Sequence, residues 1–326
     1  MTAYLVRRLF SLIPVLLWIT VISFGIIHLA PGKPTDAAAS FNPKVSLEAR
    51  QRMEKLYGLD RPIAEQYAKW LGRLARFDFG RSFVDDRPVG EKILERLPVT
   101  LTINVASLLL ILGLAIPLGT AAAVRPGGRF DRITTLFVFA GYSTPAFWLA
   151  LLGMALFGVS LRWLPVSGLH SLDADSMGVL ARVWDVTRHL VLPVGVAAFV
   201  SLAGLSRYMR SSMVEVLRQD YIRMARAKGL PERRVLFHHG LRNGLLPLIT
   251  ILGLSLPDLI GGSVIAETIF SIPGMGRLFY DAVMSRDYPV IMALVTVGAV
   301  LTMLGNFLAD VAYAYVDPRI RVGKHA

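Results

Sequence analysis

The stretch Arg207–Asn243, RYMRSSMVEVLRQDYIRMARAKGLPERRVLFHHGLRN, decides how the chain is read. It carries Arg207, Arg210, Arg218, Arg223, Arg226, Lys228, Arg233, Arg234 and Arg242 against only Glu215, Asp220 and Glu232, and long apolar runs flank it on both sides. Lys and Arg collect in loops on the inner side of a bilayer, so this charge marks one face of a membrane protein. The stretch is also patterned: Val214, Leu217, Tyr221, Met224 and Ala225 recur at helical intervals, while Gln219, Arg223 and Arg226 share an opposite face. Gly229 stops that helix, Pro231 suits the first turn of a second with Glu232 at the positive end of its dipole, and Gly240 ends it. Two short helices joined at a glycine make a compact knob whose fixed shape can pass on a force. A basic helix pair can also lie on anionic lipid, but the paired-helix punctuation favours a protein partner.

Composition agrees with a lipid environment. The chain has 326 residues, 54% of them apolar, and a mean hydropathy of +0.54, which contradicts an ordinary soluble surface. A net charge of +12 would suit nucleic acid, yet the basic residues fall in the gaps between apolar runs, so topology accounts for them and no nucleic-acid partner is expected. Without cysteine there is no disulfide, thiolate metal site or cysteine nucleophile. Six runs are long enough to span: Leu9–Leu29, Thr100–Val124, Ile133–Leu156, His189–Ser206, Leu245–Phe270 and Val290–Tyr313. The first is too long for the core of a signal peptide and has no Ala-x-Ala exit, so it reads as a retained span. An even number of spans puts both termini on one side, and Arg7, Arg8, Arg125, Arg129, Arg132, Arg319, Arg321 and Lys324 make that side the inner one, with the basic loop.

The chain thus divides into an inner N-terminus and first span (1–29), an outer loop (30–98), a five-span core (99–313) containing the inner loop 207–243, and an inner tail (314–326). In the outer loop Ser46 can cap a short helix that Gly58 ends. A second begins near Pro62, with Ile63, Tyr67, Trp70, Leu71 and Leu74 on one face; it lies at the headgroups or serves as a platform for an external partner. Gly and Pro within the spans, such as Gly119, Gly141, Pro145, Pro193 and Pro257, allow close helix contact and kinks. No G-x-x-x-x-G-K-[ST] phosphate loop, H-E-x-x-H or G-x-S-x-G is present, which argues against an enzyme and against ATP or a metal being bound by this chain. Asp258, Glu267 and Asp310 are acidic residues within spans; a proton-coupled reading would make Asp258 or Asp310 a relay, and the plainer reading pairs them with nearby polar groups. Asp258 and Asp310 motivate the rival reading of an ion-coupled secondary transporter.

The residues also carry a resemblance. Asp220-Tyr221-Ile222-Arg223-Met224-Ala225-Arg226-Ala227-Lys228-Gly229-Leu230, with Leu241-Arg242-Asn243 and Leu246-Pro247, resembles the inner loop of the dipeptide/oligopeptide/nickel permeases of bacterial ABC importers. So do Ala30-Pro31-Gly32, Tyr57-Gly58-Leu59-Asp60, Pro145-Ala146-Phe147-Trp148, Trp163-Leu164-Pro165, Glu267-Thr268-Ile269-Phe270, Arg286-Asp287-Tyr288-Pro289 and Asp317-Pro318-Arg319. Phe77-Asp78-Phe79-Gly80 departs from the Gly-Asp-Leu-Gly common in that family. The resemblance, closest to the first permease of the pair, implies an all-α membrane protein of the type I importer class, with six transmembrane helices and both termini cytoplasmic in the bacterial inner membrane. It implies alternating access that moves di- or oligopeptides or related small solutes. It also implies a second, homologous permease as heterodimer partner, two ATPase subunits that use ATP and Mg, and an extracytoplasmic binding protein. Coupling to the ATPase would rest on Tyr221, Arg223, Ala225, Arg226, Lys228, Gly229, Leu230, Pro231, Arg234 and Phe237. Candidates along the path are Tyr142, Ser143, Asp258 and Ser263.

Overall fold

The computed structural model describes residues 2–29, 55, 58–255 and 258–316. The expected helix from Ser46 to Gly58 and the side chains of Asp258 and Asp310 lie outside the described residues. The helices are α1 (Thr2–Leu29), α2 (Ile63–Leu74), α3 (Val89–Val124), α4 (Arg129–Ser143), α5 (Ala146–Gly153), α6 (Val179–Leu217), α7 (Asp220–Ala227), α8 (Glu232–Arg234), α9 (Leu241–Gly244), α10 (Leu246–Leu254), α11 (Asp258–Gly261), α12 (Val264–Ile269), α13 (Met275–Ser285) and α14 (Tyr288–Val316). Two widened π-helical segments, Met154–Ser160 and Val235–Gly240, extend α5 and bridge α8 to α9. The one extended pairing among the described residues is an isolated bridge from Arg81 to Pro88.

Four helices, α1, α3, α6 and α14, are long and apolar enough to cross a bilayer, and α4 with α5 forms a further candidate bent by 99°. The bend falls where the sequence requires it. Thr144 precedes Pro145 and is driven out of the helical region, to φ −96 and ψ 128. The expected span Leu245–Phe270 is not one helix: α10, α11 and α12 divide it, and Gly262 takes a φ of +67 between the last two. The four expected spans that form one helix are instead exceeded, by α1, α3, α6 and α14. Helix α6 has 39 residues and is about 58 Å long, well beyond the ~30 Å hydrocarbon core.

Contacts along the chain define two ends of the bundle. At one end the start of α3 (Val89, Ile93) packs on α13 and the start of α14 through Met275, Leu278, Ala282, Val290 and Ile291. At the other, Ala123 at the close of α3 meets Met209 and Met213 of α6 and Leu248 of α10. Helices α1 and α14 are antiparallel. Ser23, Ile26 and Ile27 share one groove with Ile291 and Val295, and Phe10, Ile13 and Leu16 share another with Val300, Met303 and Leu304. The start of α1 and the later turns of α14 therefore lie together. The apolar stripe of α2 docks on this pair: Trp70 is buried with Phe24 and Met292, and the Tyr67 hydroxyl lies 2.9 Å from Thr20 Oγ1. That stripe faces protein within the chain, an option that neither a headgroup position nor an external platform covers.

Polar knots hold the end away from the basic loop. The Glu267 carboxylate accepts from Thr100 Oγ1 at 2.9 Å and from the Arg277 amide at 2.9 Å, and Thr100 Oγ1 accepts from the Met275 amide at 2.8 Å. One buried carboxylate thus ties α3, α12 and α13, which is the structural alternative for this residue. Asp287 plays a similar part for the loop after α2, accepting from Ser82 Oγ and, at 2.9 Å, from the Phe83 amide. In the turn before it, Asp78 Oδ1 accepts from the Gly80 amide at 2.8 Å, so the departure at Phe77–Gly80 still forms a closed turn. Replacing Glu267→Ala strands the Thr100 hydroxyl and the Arg277 amide in a buried site and is expected to cost about 3 kcal/mol. Glu267→Gln keeps an acceptor and is expected to cost less. Thermal unfolding of the purified protein in detergent should give midpoints in the order native, Gln, Ala.

Candidate functional site

The basic loop folds into a knob with a core of its own. Helix α6 ends at Leu217, and the chain turns through Arg218 and Gln219 before α7 begins. The expected continuous stripe from Val214 to Ala225 is therefore broken, because Gln219 adopts an extended conformation (φ −68, ψ 149) as the N-cap of α7. The break rotates α7 so that Ile222 and Ala225 point inward, onto Val235, with Leu217 and Leu230 packed around them. Tyr221 and Met224, which share the apolar stripe with Ala225 in the sequence, are exposed.

The end of α7 follows the chemistry of its sequence. The Gly229 amide donates to the Arg226 carbonyl at 2.9 Å and the Leu230 amide to the Ala225 carbonyl at 3.4 Å, the two bonds of a Schellman closure. The closure needs a left-handed residue, and Gly229 supplies it with φ +72. Leu230 then packs back toward Ala225, the apolar contact that accompanies this motif. Pro231 caps α8 with φ −61, one position before the first turn. Gly240 does not end the second helix. The backbone widens over Val235–Gly240 and continues helically through α9 to Gly244.

Side chains brace the two arms. Arg226 Nη2 and Nε donate to the Glu232 carboxylate at 2.7 and 3.2 Å, spanning the Gly229 turn, and Asn243 Nδ2 donates to the Tyr221 hydroxyl at 2.8 Å. The Arg226 guanidinium holds the Glu232 carboxyl below its ordinary range, and Glu232 raises Arg226 in turn. The pair therefore adds stability above the ordinary carboxylate pKa and loses it as pH falls through the lowered one, with solvent weakening it because both partners are about half exposed.

Of the ten coupling candidates, Tyr221, Arg223, Arg226, Lys228, Gly229, Pro231, Arg234 and Phe237 are exposed on the knob and Leu230 is half-buried. Ala225, at 6% exposure, lies in the knob's core and shapes the surface without being on it. Met224 and Phe237, each 58% exposed, are large apolar side chains on its surface. Met224 was missed as a surface residue because the break at Gln219 shifts the register of the stripe.

The four path candidates are not brought to one place. Tyr142 of α4 lines a cleft of about 690 Å³ between α3, α4 and α6, with Thr134, Thr135, Ser206, Tyr208 and Ser211 among its walls. Ser143 is exposed beside it. Ser263 accepts from the Ala266 amide at 3.2 Å as the N-cap of α12, near the Glu267 knot. The backbone carrying Asp258 is fixed to α3 by Asn104 Nδ2, which donates to the Leu259 carbonyl at 2.7 Å.

One strong pair at the knob's base has no counterpart among the sequence expectations. Arg210 Nε and Nη2 donate to Asp131 Oδ1 and Oδ2 at 2.5 and 2.7 Å, and Asp131 Oδ2 also accepts from the Gly127 amide at 2.7 Å. Arg210 was counted only toward topology. The signal available was an Asp in the first turn after a Gly-Gly pair.

Known proteins match across this whole architecture. The solved methionine ABC transporter MetNI, in inward-facing conformations, shares the fold with a TM-score of 0.54 and 18% identity, over 69% of this chain and 96% of that one. Curated relatives are nearer in sequence. The oligopeptide transport system permease protein AppB of Bacillus subtilis is 47% identical, over 98% of this chain and 99% of its own length. The di/tripeptide transport system permease protein DppB of Pseudomonas aeruginosa is 38% identical, over 98% and 99%. The family model described as "Binding-prot-dependent transport system membrane comp, N-term" matches residues 1–104, and "Binding-protein-dependent transport system inner membrane component" matches residues 115–322. The second match takes in the knob, the Asp131–Arg210 pair and Glu267, and by it the chain belongs to the binding-protein-dependent transport system inner membrane components, as a multi-pass protein of the inner membrane.

Proposed function

We propose that this chain moves di- or oligopeptides across the inner membrane, by alternating access driven by ATP hydrolysis in separate subunits. As a member of its family it is a permease component, and the hydrolytic chemistry belongs to its ATPase partners. The observation that carries the coupling role is the knob: a two-armed element with its own core, closed at Gly229, that presents Met224 and Phe237 outward amid Arg223, Lys228 and Arg234. A rigid body transmits displacement that a loose loop would absorb, so nucleotide-driven movement of an ATPase reaches α6 through the knob. Two ATPase subunits using ATP and Mg, a second homologous permease and an extracytoplasmic binding protein complete the assembly.

In this reading the basic loop and both termini are cytoplasmic, and the broken segment α10–α12 counts as the fifth of six crossings. Peptide identity is supported by the near full-length similarity to peptide permeases. The ion-coupled alternative rested on Asp258 and Asp310, and the family assignment removes its motive.

Membrane vesicles containing the full assembly, loaded with ATP and stripped of ion gradients, should accumulate a di- or oligopeptide in the presence of the binding protein. Uptake that needs a proton or sodium gradient instead would refute the ATP-driven reading. Met224→Ala and Phe237→Ala remove exposed apolar side chains, so the permease should retain its fold while uptake falls at least about tenfold, as when a buried interface anchor is truncated. Co-purification of the ATPase with each variant separates weakened docking from a lost fold. A Cys placed at Arg223 should react with an impermeant thiol reagent only in inside-out vesicles.

A further inference from the structure

We propose that Asp131 and Arg210 are positioning residues for transport, clamping α4 to α6 so that the knob and the adjoining ends of α3, α4 and α6 move as one body; the proposal rests on the importer reading above. The observation is a convergence on two turns of α6. At Gly119, α3 approaches so closely that a Cβ would stand 2.7 Å from Met209 Cβ and 2.7 Å from the Ser206 carbonyl oxygen. One residue on, Arg210 grips Asp131 with both its Nε and Nη2, at 2.5 and 2.7 Å. Asp131 in turn holds the Gly127 amide at 2.7 Å, so the turn joining α3 to α4 belongs to the same node. From the other side Ser212 Oγ donates to the Gly244 carbonyl at 2.8 Å, and Gly244 lies against Met213, which fixes the chain returning from the knob.

Residues 206–213 therefore meet α3, α4 and the chain returning from the knob within about 11 Å of helix. Of these links the ion pair alone ties α6 to the first turn of α4 by a directional, two-point bond. Apolar packing along α4 permits sliding, whereas a bidentate guanidinium–carboxylate pair fixes both distance and angle. The Asp131 side chain is only 5% exposed, so the bond is shielded from water and from salt. Loss of the pair leaves the knob attached to α6 while α4, which walls the cleft with Thr134, Thr135 and Tyr142, is free to lag.

A purely structural pair and a positioning pair give different results in one variant series on the reconstituted complex. Asp131→Asn and Arg210→Met each leave one charge uncompensated, so both lower the yield of assembled complex. The double variant D131N/R210M removes both charges and restores the yield. For a positioning pair, peptide transported per ATP hydrolysed stays at least about tenfold below native in the double variant, with ATPase activity within about twofold of native. Recovery of the native ratio in the double variant overturns the proposal. A second measurement covers failure of that variant to assemble. Spin labels at the exposed positions Phe130→Cys and Ser211→Cys in the otherwise native complex should report the same separation without nucleotide and with trapped ATP. A separation that changes between the two states overturns the clamp. Failure of the importer reading would show separately, as absence of ATP-dependent uptake in the native complex.

Discussion

The close approach of α3 and α6 is the constraint on which the remaining architecture depends. Hydrocarbon offers no water to exclude between two apolar helices, so their association depends on van der Waals fit and on buried hydrogen bonds. Gly119 permits the first, bringing Met209 and the Ser206 carbonyl within reach of the α3 backbone. On the opposite half of α3, Thr100 and Asn104 supply buried hydrogen bonds to a different neighbour, anchoring α12 and α11 of the divided segment. With α3 held at both ends, α13 and α14 have a fixed surface to pack on, and α2 can bury Trp70 against Phe24 and Met292.

Much of this was legible in the residues because it rests on local rules. Apolar length located α1, α3, α6 and α14, and Pro145 marked a kink that the structure makes into a bend of 99°. The punctuation of the basic loop by Gly229 and Pro231 was also read correctly, since a left-handed helix closure and a proline at a helix start are settled within a few residues. What escaped were properties set by partners distant in sequence. Hydropathy makes Leu245–Phe270 one continuous run, while the folded chain spends that run on a broken path held by Glu267, Thr100 and Arg277. The stripe through Tyr221 and Met224 failed because two residues, Arg218 and Gln219, leave the helix and reset its phase. Asp131 carries no periodic signal at all, and its partner lies 79 positions away.

The knob and the transmembrane bundle solve different solvent problems. In the bundle, apolar side chains occupy the interior and the surface alike, as at the buried Val89 and the exposed Leu136, and the few enclosed polar groups such as Glu267 are hydrogen-bonded. In the knob the interior is likewise apolar, with Ile222, Ala225 and Val235 enclosed, but the surface is a ring of Arg and Lys. The crossover lies along α6 between Ser206 and Leu217, where Met209 and Met213 remain fully buried while Arg207 and Ser211 are exposed. A single unbroken helix therefore passes between two environments, and the Asp131–Arg210 pair sits at that passage.

The length of α6 has a mechanical corollary. About 27 residues, or roughly 40 Å, separate Leu190 in the cluster around Phe270 from Leu217 at the root of the knob. A stiff rod of that span acts as a lever: a tilt of about five degrees about Leu190 sweeps the Leu217 end through roughly 3.5 Å. An arc of that size is comparable to the rise of two residues of helix, enough to shift one row of side chains past another. Movement too slight to disturb the packing at the pivot is thus magnified at the far tip, and a displacement imposed on the tip is geared down as it reaches the pivot.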